Sequence, residues 1–248
     1  MIILRNADEI KAIRNAGRIT ARTLEKLSGS VRPGITTKEL DDIAGIEIRS
    51  LGGVPAFKGY RGFPANICTS INEVVVHGIP SKRVLEEGDI ISIDVGVGCD
   101  GYFADAAVTV GVGEIAPDAR SLIEVTRASL YEGLAKARAK NRLSDISSAI
   151  QQYAESKGFS VVRSFVGHGI GTKIHEDPEI PNFGKSGTGP RLDRGMVLAI
   201  EPMINAGTYE VMICEDGWTA VTADGSLSAH FEHTVVITDS DVEILTIL

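Results

Sequence analysis

The chain of 248 residues is long enough to bury a sizeable core without disulfides or a structural metal. Its 25 Lys and Arg against 33 Asp and Glu give a net charge of -8, which argues against DNA binding and against a general affinity for anionic membranes. The widely spaced Cys68, Cys99 and Cys214 predict reduced thiols. With no apolar leader and no run of about 18 apolar residues, we expect a cytoplasmic protein without a membrane anchor.

Two helices are predicted before the first strands. Asn6 with Glu9 three residues later forms a capping-box pattern that begins a long amphipathic helix. Thr36 with Glu39 begins a second helix, which ends at the glycine pair 52–53. Both helices therefore precede the first sheet-forming segment.

The segment ISIDVGVGCDGYFADAAVTVGVG, which begins at Ile91, alternates β-branched and small residues between glycines. This pattern is typical of a β-hairpin, and we place its turn at Cys99–Asp100. Two further helices, one over about 117–139 and one over about 144–157, then repeat the helix, helix, strand order of the first half.

The two halves of the chain also match at residue level. LEEGDIISID from Leu85 aligns with LDRGMVLAIE from Leu192, and DAAVTV from Asp105 aligns with EHTVVI from Glu232. Any two amphipathic hairpins can share one such pattern, but two matching pairs in the same order favour an internal duplication. We therefore expect one domain over 1–248, built from pseudo-symmetric halves of roughly 1–112 and 113–248 that share one sheet.

Four acids stand in apolar, strand-like runs. With the turn at Cys99–Asp100, Asp94 and Asp105 would face each other directly, and like charges in that position are destabilising unless a cation lies between them. Glu201 and Glu232 repeat the pattern in the second half. A single acid of this kind is often a solvent-facing strand residue, whereas four in matched places predict a metal site.

A histidine completes this candidate metal site. His168 lies between Gly167 and Gly169, and glycines let the backbone come close to a site while the imidazole points inward. No cysteine belongs to the set. Its oxygen and nitrogen ligands therefore suit two divalent ions, Mn, Fe, Co or catalytic Zn, and not a structural zinc held by thiolates.

The motifs DVGVGCDGYFADAAVT, SFVGHGIG, AIEPM and HFEHT resemble the five-ligand signature of the type I methionine aminopeptidases, and the resemblance extends along nearly the whole chain. It implies an α+β pita-bread fold with a curved antiparallel sheet. The close spacing of Glu201 and Glu232 leaves no room for the type II insertion, which implies a short bacterial form. At the matching positions the resemblance implies five metal ligands, which are Asp94, Asp105, His168, Glu201 and Glu232. It also implies that Asp105 and Glu232 bridge the two ions.

The same resemblance implies the activity. It indicates a metal-dependent exopeptidase, a methionyl aminopeptidase, that removes the N-terminal methionine from nascent proteins and prefers a small second residue. His77 and His175 match the family's two active-site histidines that are not ligands. We expect Glu201 to act as general base, His175 to donate to the oxyanion, and His77 to contact the peptide beyond the scissile bond.

The resemblance further implies a methionine pocket, whose aromatic walls and soft thiol suit a flexible thioether. The matching residues are Tyr60, Phe63, Cys68 and Trp218. Phe57 stands where many relatives have a cysteine, and Ile174 stands where relatives often have an aromatic residue. Both departures bear on the shape of the pocket.

The family alone suggests a monomer that meets nascent chains near the exit tunnel of the ribosome. Two alternatives stay open. A proline-specific aminopeptidase of the same fold uses the same five ligands, although the pocket segment and a chain start close to the catalytic fold count against it. A non-catalytic binding relative is disfavoured, because such proteins lose metal ligands and all five are present here.

Overall fold

Four helices flank the sheets in the computed structural model, which describes residues 1–248. They are α1 (Ala7–Ser30), α2 (Thr37–Ser50), α3 (Pro117–Leu134) and α4 (Leu143–Ser156). Both predicted capping boxes are confirmed, since the side chains of Asn6 and Thr36 each accept from the backbone N–H three residues later. None of the helices combines the length and the apolarity that a membrane crossing requires.

One large sheet and two small ones contain fifteen strands. The strands are β1 (Val54–Pro55), β2 (Cys68–Ile71), β3 (Val74–Val76), β4 (Ile90–Cys99), β5 (Tyr102–Gly111), β6 (Ser160–Val161), β7 (Gly167–Gly169), β8 (Glu176–Ile180), β9 (Val197–Ile200), β10 (Met203–Asn205), β11 (Val211–Ile213), β12 (Ala220–Thr222), β13 (Ser228–His230), β14 (Glu232–Ile237) and β15 (Val242–Ile244). The large sheet is antiparallel and has the order β1-β4-β5-β14-β9-β7-β8, with β2 also on β4 and β15 also on β14. The small sheets are β13-β10-β6 and β11-β12-β3.

The hairpin of β4 and β5 turns one residue later than predicted. Asp100 and Gly101 form the turn with φ values of 51° and 80°, so the expected turn at Cys99–Asp100 is wrong. Both positions need a positive φ, which Asp-Gly adopts readily and cysteine does not. The register therefore shifts by two, and Asp94 pairs with Ala107 instead of Asp105. The two acids remain on one face, as diagonal neighbours.

The third helix ends at Leu134 and not near residue 139, so that predicted boundary is wrong. The chain turns back beyond it: Lys140 has a φ of 78°, which a helix does not allow, and its backbone N–H donates to the carbonyl oxygen of Leu192 at 3.0 Å. The fourth helix agrees with the prediction, and Gly158, with a φ of 85°, follows its end.

Strand β4 separates the apolar core from the candidate site. Ile91, Ile93, Val95 and Val97 are fully buried in a core that includes the inward faces of α1 and α2. Each such side chain contributes about 1.5–3 kcal/mol to stability. Because side chains alternate across a strand, Asp94 points to the opposite face of the sheet. The same core that fixes the strand therefore directs the carboxylate away from the helices.

Matched positions of the two halves behave alike. Leu85 and Leu192 are both fully buried, and the glycines that follow them, Gly88 and Gly195, have φ values of 92° and 89°. Strands β5 and β14 are neighbours in the middle of the large sheet, with β4 and β9 on their outer sides. In the second half of the chain, β9 and β14 correspond to β4 and β5 but are not consecutive, because β10 to β13 lie between them in the sequence. These features support a single domain with halves of roughly 1–112 and 113–248, which we retain as a proposal.

Candidate active site

An open cleft of about 640 Å³ lies on the face of the large sheet that carries Asp94. Eight of the predicted site residues line it: Tyr60, Phe63, Cys68, His77, Asp94, His168, His175 and Trp218. The three other predicted residues, Asp105, Glu201 and Glu232, do not line its walls and lie close to His168 instead. The structure thus brings residues from distant parts of the chain to one cleft.

A buried cluster forms the base of this cleft. One ligand atom each from Asp105, His168 and Glu232 lies within 4.8 Å of the others. Glu201 is next to this cluster, with its Oε1 at 3.4 Å from His168 Nε2. The carboxyl group of Asp94 is close enough to that of Asp105 that, after burial, the charge of Asp105 is the next largest cause of its raised pKa. All five predicted ligands are therefore neighbours, although β4, β5, β7, β9 and β14 bring them from separate segments.

Burial raises the pKa of all four acids. The pKa values of Asp94, Glu201 and Glu232 lie well above their usual range. Burial is the largest cause of this increase, and the negative charge of Asp105 is the second largest. For Asp105 itself, burial raises the pKa to about 7. Asp94 Oδ1, Asp105 Oδ1 and Glu232 Oε1 are buried without a hydrogen-bond partner. Bound cations would satisfy these oxygens, so the acids fit a metal site.

His168 offers one nitrogen to the cluster. Its Nδ1 lies 2.9 Å from the carbonyl oxygen of Gly169, and since a carbonyl only accepts, Nδ1 carries the proton. Nε2 therefore keeps its lone pair on the side of Glu201. Burial lowers the pKa of His168 to about 4, so the ring is neutral at pH 7. A neutral imidazole whose other nitrogen is held by a carbonyl is typical of a metal ligand.

Cys68 lies beside the cluster as a thiol. Its Cα pairs with that of Asp94 across β2 and β4. Burial, followed by the charge of Asp94, raises the pKa of the Cys68 thiol well above its usual range. A thiol that stays protonated is a poor metal ligand, in agreement with its predicted place in the wall of a pocket.

The two other predicted histidines reach the cleft from different directions. The ring centroid of His175 lies 4.3 Å from that of His168, and its Nδ1 is 2.9 Å from the hydroxyl oxygen of Tyr60. His77 follows β3 with a φ of 60°, an uncommon conformation outside glycine that is often found at functional sites. Its ring packs edge-on against Trp218, at 6.2 Å between centroids.

Aromatic side chains form the wall of the predicted methionine pocket. Phe63 packs edge-on against Trp218 at 5.1 Å between ring centroids, and Phe57 packs edge-on against Phe63 at 6.5 Å. Phe57 lines the cleft and occupies space that Gly96 leaves open, where a Cβ would lie 2.6 Å from the phenyl ring. Ile174 is 3% exposed and does not line the cleft, so it acts on the pocket only through packing.

His230 is a site residue that the sequence interpretation missed. It is 2% exposed, its Nε2 has no hydrogen-bond partner, and this atom lies 3.8 Å from Glu201 Oε2. Burial lowers the pKa of His230 to about 3, so the ring is neutral. The available signal was the short spacing, because His230 precedes the predicted ligand Glu232 by only two residues, across the break between β13 and β14.

The glycines on both sides of His168 are required by close backbone contacts. A Cβ at Gly167 would overlap the carbonyl oxygen of Ala199 on β9, and a Cβ at Gly169 would overlap that of Asp177 on β8. The strand that carries His168 therefore fits between its two neighbours only without side chains at these positions.

We expect Gly169→Ala to lower the melting temperature by roughly 5 °C or more. Overpacking costs about 1–3 kcal/mol, and each kcal/mol shifts the Tm of a chain of this size by about 2–4 °C. Gly29→Ala is the matched control, because nothing lies within 4 Å of a Cβ at this helical position and alanine should stabilise α1 slightly. Thermal unfolding followed by circular dichroism measures both. Equal melting temperatures for the two variants would contradict the packing argument.

Four carboxylates and one neutral imidazole at the base of an open cleft define the site of a metal-dependent hydrolase. The comparison with protein families agrees with this class. The model of metallopeptidase family M24 matches residues 11–239, and the chain belongs to this family.

The chain is also similar over its full length to individual members of this family. The chain is 57% identical over 248 residues to the methionine aminopeptidase of Clostridium perfringens, covering 100% of both chains. It is 54% identical to methionine aminopeptidase 1 of Bacillus subtilis, covering 99% of each. The crystal structure of methionine aminopeptidase from Thermotoga maritima matches with a TM-score of 0.99 at 46% identity, and 100% of each chain is covered. The predicted pita-bread fold and the predicted family resemblance are confirmed.

Proposed function

We propose that this chain is a methionyl aminopeptidase, which removes the N-terminal methionine from nascent proteins and peptides and prefers a small second residue. One observation carries the proposal. The buried cluster of Asp105, His168 and Glu232 lies below a cleft with aromatic walls, in a chain whose full-length relatives are methionine aminopeptidases.

Five residues would hold two divalent ions, which we take to be Mn, Fe, Co or Zn. Asp105 and Glu232 each have a buried oxygen without a hydrogen-bond partner, which a cation would satisfy. His168, Glu201 and Asp94 would supply the other ligand atoms. When bound, such ions acidify a water molecule and polarise the scissile carbonyl.

Residues of the chain supply the proton transfers. Glu201, whose Oε1 lies 3.4 Å from His168 Nε2 beside the cluster, would accept the proton of the attacking water. His175 Nδ1 lies 2.9 Å from the Tyr60 hydroxyl oxygen, and with that hydroxyl as the donor the Nε2 proton would be free for the developing oxyanion. His77 contacts the peptide beyond the scissile bond and assists the departing amine.

Two contacts would make the reaction specific for an N-terminal methionine. The free α-amino group of the substrate binds on the Asp94 side of the cluster, so a blocked amino end loses this interaction. The methionine side chain packs among Tyr60, Phe63, Cys68 and Trp218, where aromatic rings and a thiol suit a thioether.

Cellular context is proposed from the family resemblance. We place the enzyme in the cytoplasm as a monomer that meets nascent N-termini near the ribosomal exit tunnel. The three free cysteines agree with a reducing compartment.

Metal removal and return test the function. Protein stripped with a chelator should not cleave Met-Ala-Ser, and Mn, Fe or Co should restore cleavage. N-acetylated Met-Ala-Ser is the control and should remain intact under all conditions, because its amino end is blocked. Liquid chromatography of the products measures both peptides.

The outcome also separates the proposal from its alternatives. Preferred cleavage of an Xaa-Pro peptide over Met-Ala-Ser would identify a proline-specific enzyme. Metal binding without cleavage of any peptide that has a free amino end would identify a binding protein.

A further inference from the structure

Arg5 is a buried arginine outside the metal cluster and outside the wall of the cleft, with 7% of its surface exposed. Its guanidinium donates to two carboxylates. Nη1 donates to Glu9 Oε1 at 3.2 Å, and Nη2 donates to Glu176 Oε2. Glu9 belongs to α1, whereas Glu176 begins β8 and lines the cleft. The arginine therefore connects the first helix to the wall of the cleft through charge-assisted hydrogen bonds.

The backbone around Arg5 is shaped to admit it. A Cβ at Gly171 would overlap the guanidinium, so a side chain at this position would displace it. Gly195 has a φ of 89°, and a Cβ there would lie 2.8 Å from the carbonyl oxygen of Arg5. The backbone N–H of Arg5 in turn donates to the carbonyl oxygen of Gly195 at 2.8 Å. Gly171 thus leaves room for the guanidinium of Arg5, and Gly195 leaves room for its backbone.

Glu176 also closes the loop that carries His175. Its second oxygen, Oε1, accepts from the Thr172 hydroxyl at 3.1 Å and from the backbone N–H of Lys173 at 3.0 Å. One carboxylate therefore holds the loop through one oxygen and receives the arginine through the other. His175 directly precedes Glu176, so the position of its imidazole depends on this closure.

We propose that Arg5 is a positioning residue, which acts through Glu176 to hold the His175 imidazole beside the metal cluster. This inference rests on the function proposed above. Without the guanidinium, the Glu176 carboxylate, 10% exposed, has no counter-charge, and an unpaired charge so far from water is unfavourable. The loop then moves to bring the carboxylate into water. A displacement of about 1 Å in a positioned group lowers a rate by about a hundredfold.

The test compares Arg5→Met with Arg14→Met. Methionine keeps an unbranched side chain and removes the charge, and Arg14→Met breaks an exposed pair with Glu243 that lies outside the loop. For Arg5→Met we expect kcat for Met-Ala-Ser to fall roughly tenfold or more, with KM within about threefold and metal content unchanged. Amide hydrogen exchange at residues 172–176 should become faster. Arg14→Met should match the wild type in all four measurements.

A second variant covers the case in which Arg5→Met does not fold. Glu176→Gln keeps the size of the side chain and removes only the charge, and it should lower kcat in the same way. In the double variant, the two losses should not add, because both remove one interaction. Arg5→Lys should restore part of the activity, since it keeps the charge and loses the second donor.

Unchanged hydrogen exchange at 172–176, or a kcat within about twofold of the wild type in both single variants, would overturn the inference. A lower melting temperature with unchanged kcat would do the same, because it would show a purely structural role. Failure of the wild type to cleave Met-Ala-Ser would instead overturn the proposed function. In that case the exchange comparison still decides whether Arg5 holds the loop.

Discussion

Glu201→Gln is expected to lower kcat for Met-Ala-Ser by about a thousandfold. Glutamine keeps the shape of glutamate but cannot accept a proton, and a general base contributes about 10²–10⁴ to a rate. Glu201 is also one of the proposed metal ligands and faces His168 Nε2 at 3.4 Å and His230 Nε2 at 3.8 Å, so the substitution could also change metal binding. Steady-state kinetics at saturating Mn, with bound metal determined on the same sample, measures the effect.

Glu179→Gln is the matched control for this substitution. Glu179 also lines the cleft, but it is exposed and lies outside the cluster. Its variant should keep kcat within about threefold of the wild type, because no proton transfer depends on it. Normal turnover by Glu201→Gln with both metals bound would contradict the assignment of Glu201 as the base.

Metal-free protein is expected to lose thermal stability as the pH rises from 7 to 8.5. The folded-state pKa values of Asp94, Glu201 and Glu232 are raised well above their usual range, first by burial. At a pH between the unfolded-state pKa and the folded-state pKa of these carboxyl groups, the native chain holds protons that the unfolded chain has released. The free energy of unfolding therefore falls with pH, by about 1.4 kcal/mol per pH unit for each such proton.

Buried histidines act in the opposite direction, but at lower pH. Burial lowers the pKa of His168 to about 4 and that of His230 to about 3, so their neutral folded forms favour stability as the pH rises. This gain in the free energy of unfolding is complete once the pH is above about 6.5, the pKa of histidine in an unfolded chain. Above pH 7 the raised carboxyl groups then dominate the slope, and the buried Cys68 thiol, whose pKa is raised first by burial, adds to it in the same direction. One proton over this interval corresponds to about 2 kcal/mol, or a fall in Tm of about 4–8 °C.

Thermal melts at pH 7 and pH 8.5, with chelator and with Mn, measure this effect. The metal-loaded protein should show a smaller change, because bound cations stabilise the ionised carboxylates whatever the pH. Metal-free Glu232→Gln should also show a smaller change, since one of the buried acids is gone. Equal melting temperatures of the metal-free wild type at both pH values would contradict the raised pKa values.

Local signals in the sequence predicted the elements and the candidate residues. The capping boxes at Asn6 and Thr36 depend on contacts within three residues, so they are readable from the chain itself. The Asp100–Gly101 turn was equally local, and its position was missed because the preceding cysteine was included in place of the glycine. The four acids were recognisable because each interrupts an apolar run. This pattern predicted a metal site, whereas the role of each acid at the two ions came from the family resemblance, and both are proposals.

How these residues meet depends on contacts between distant parts of the chain. Alternation along a strand determines which face a side chain takes, but the pairing of β5 with β14 depends on the packing of the whole sheet. The contact of His230 with Glu201 accompanies the pairing of β13 with β10, in which His230 lies opposite Met203. Arg5 and Glu176 are separated by 171 residues, and no local preference indicates their pairing. The four α-helices, the hairpin and the acids in apolar runs are readable from neighbouring residues, although the end of α3 and the turn of the hairpin were predicted wrongly. The geometry of the site and the contacts that hold the His175 loop arise from packing between distant segments. A pattern of neighbouring residues carries no information about that packing.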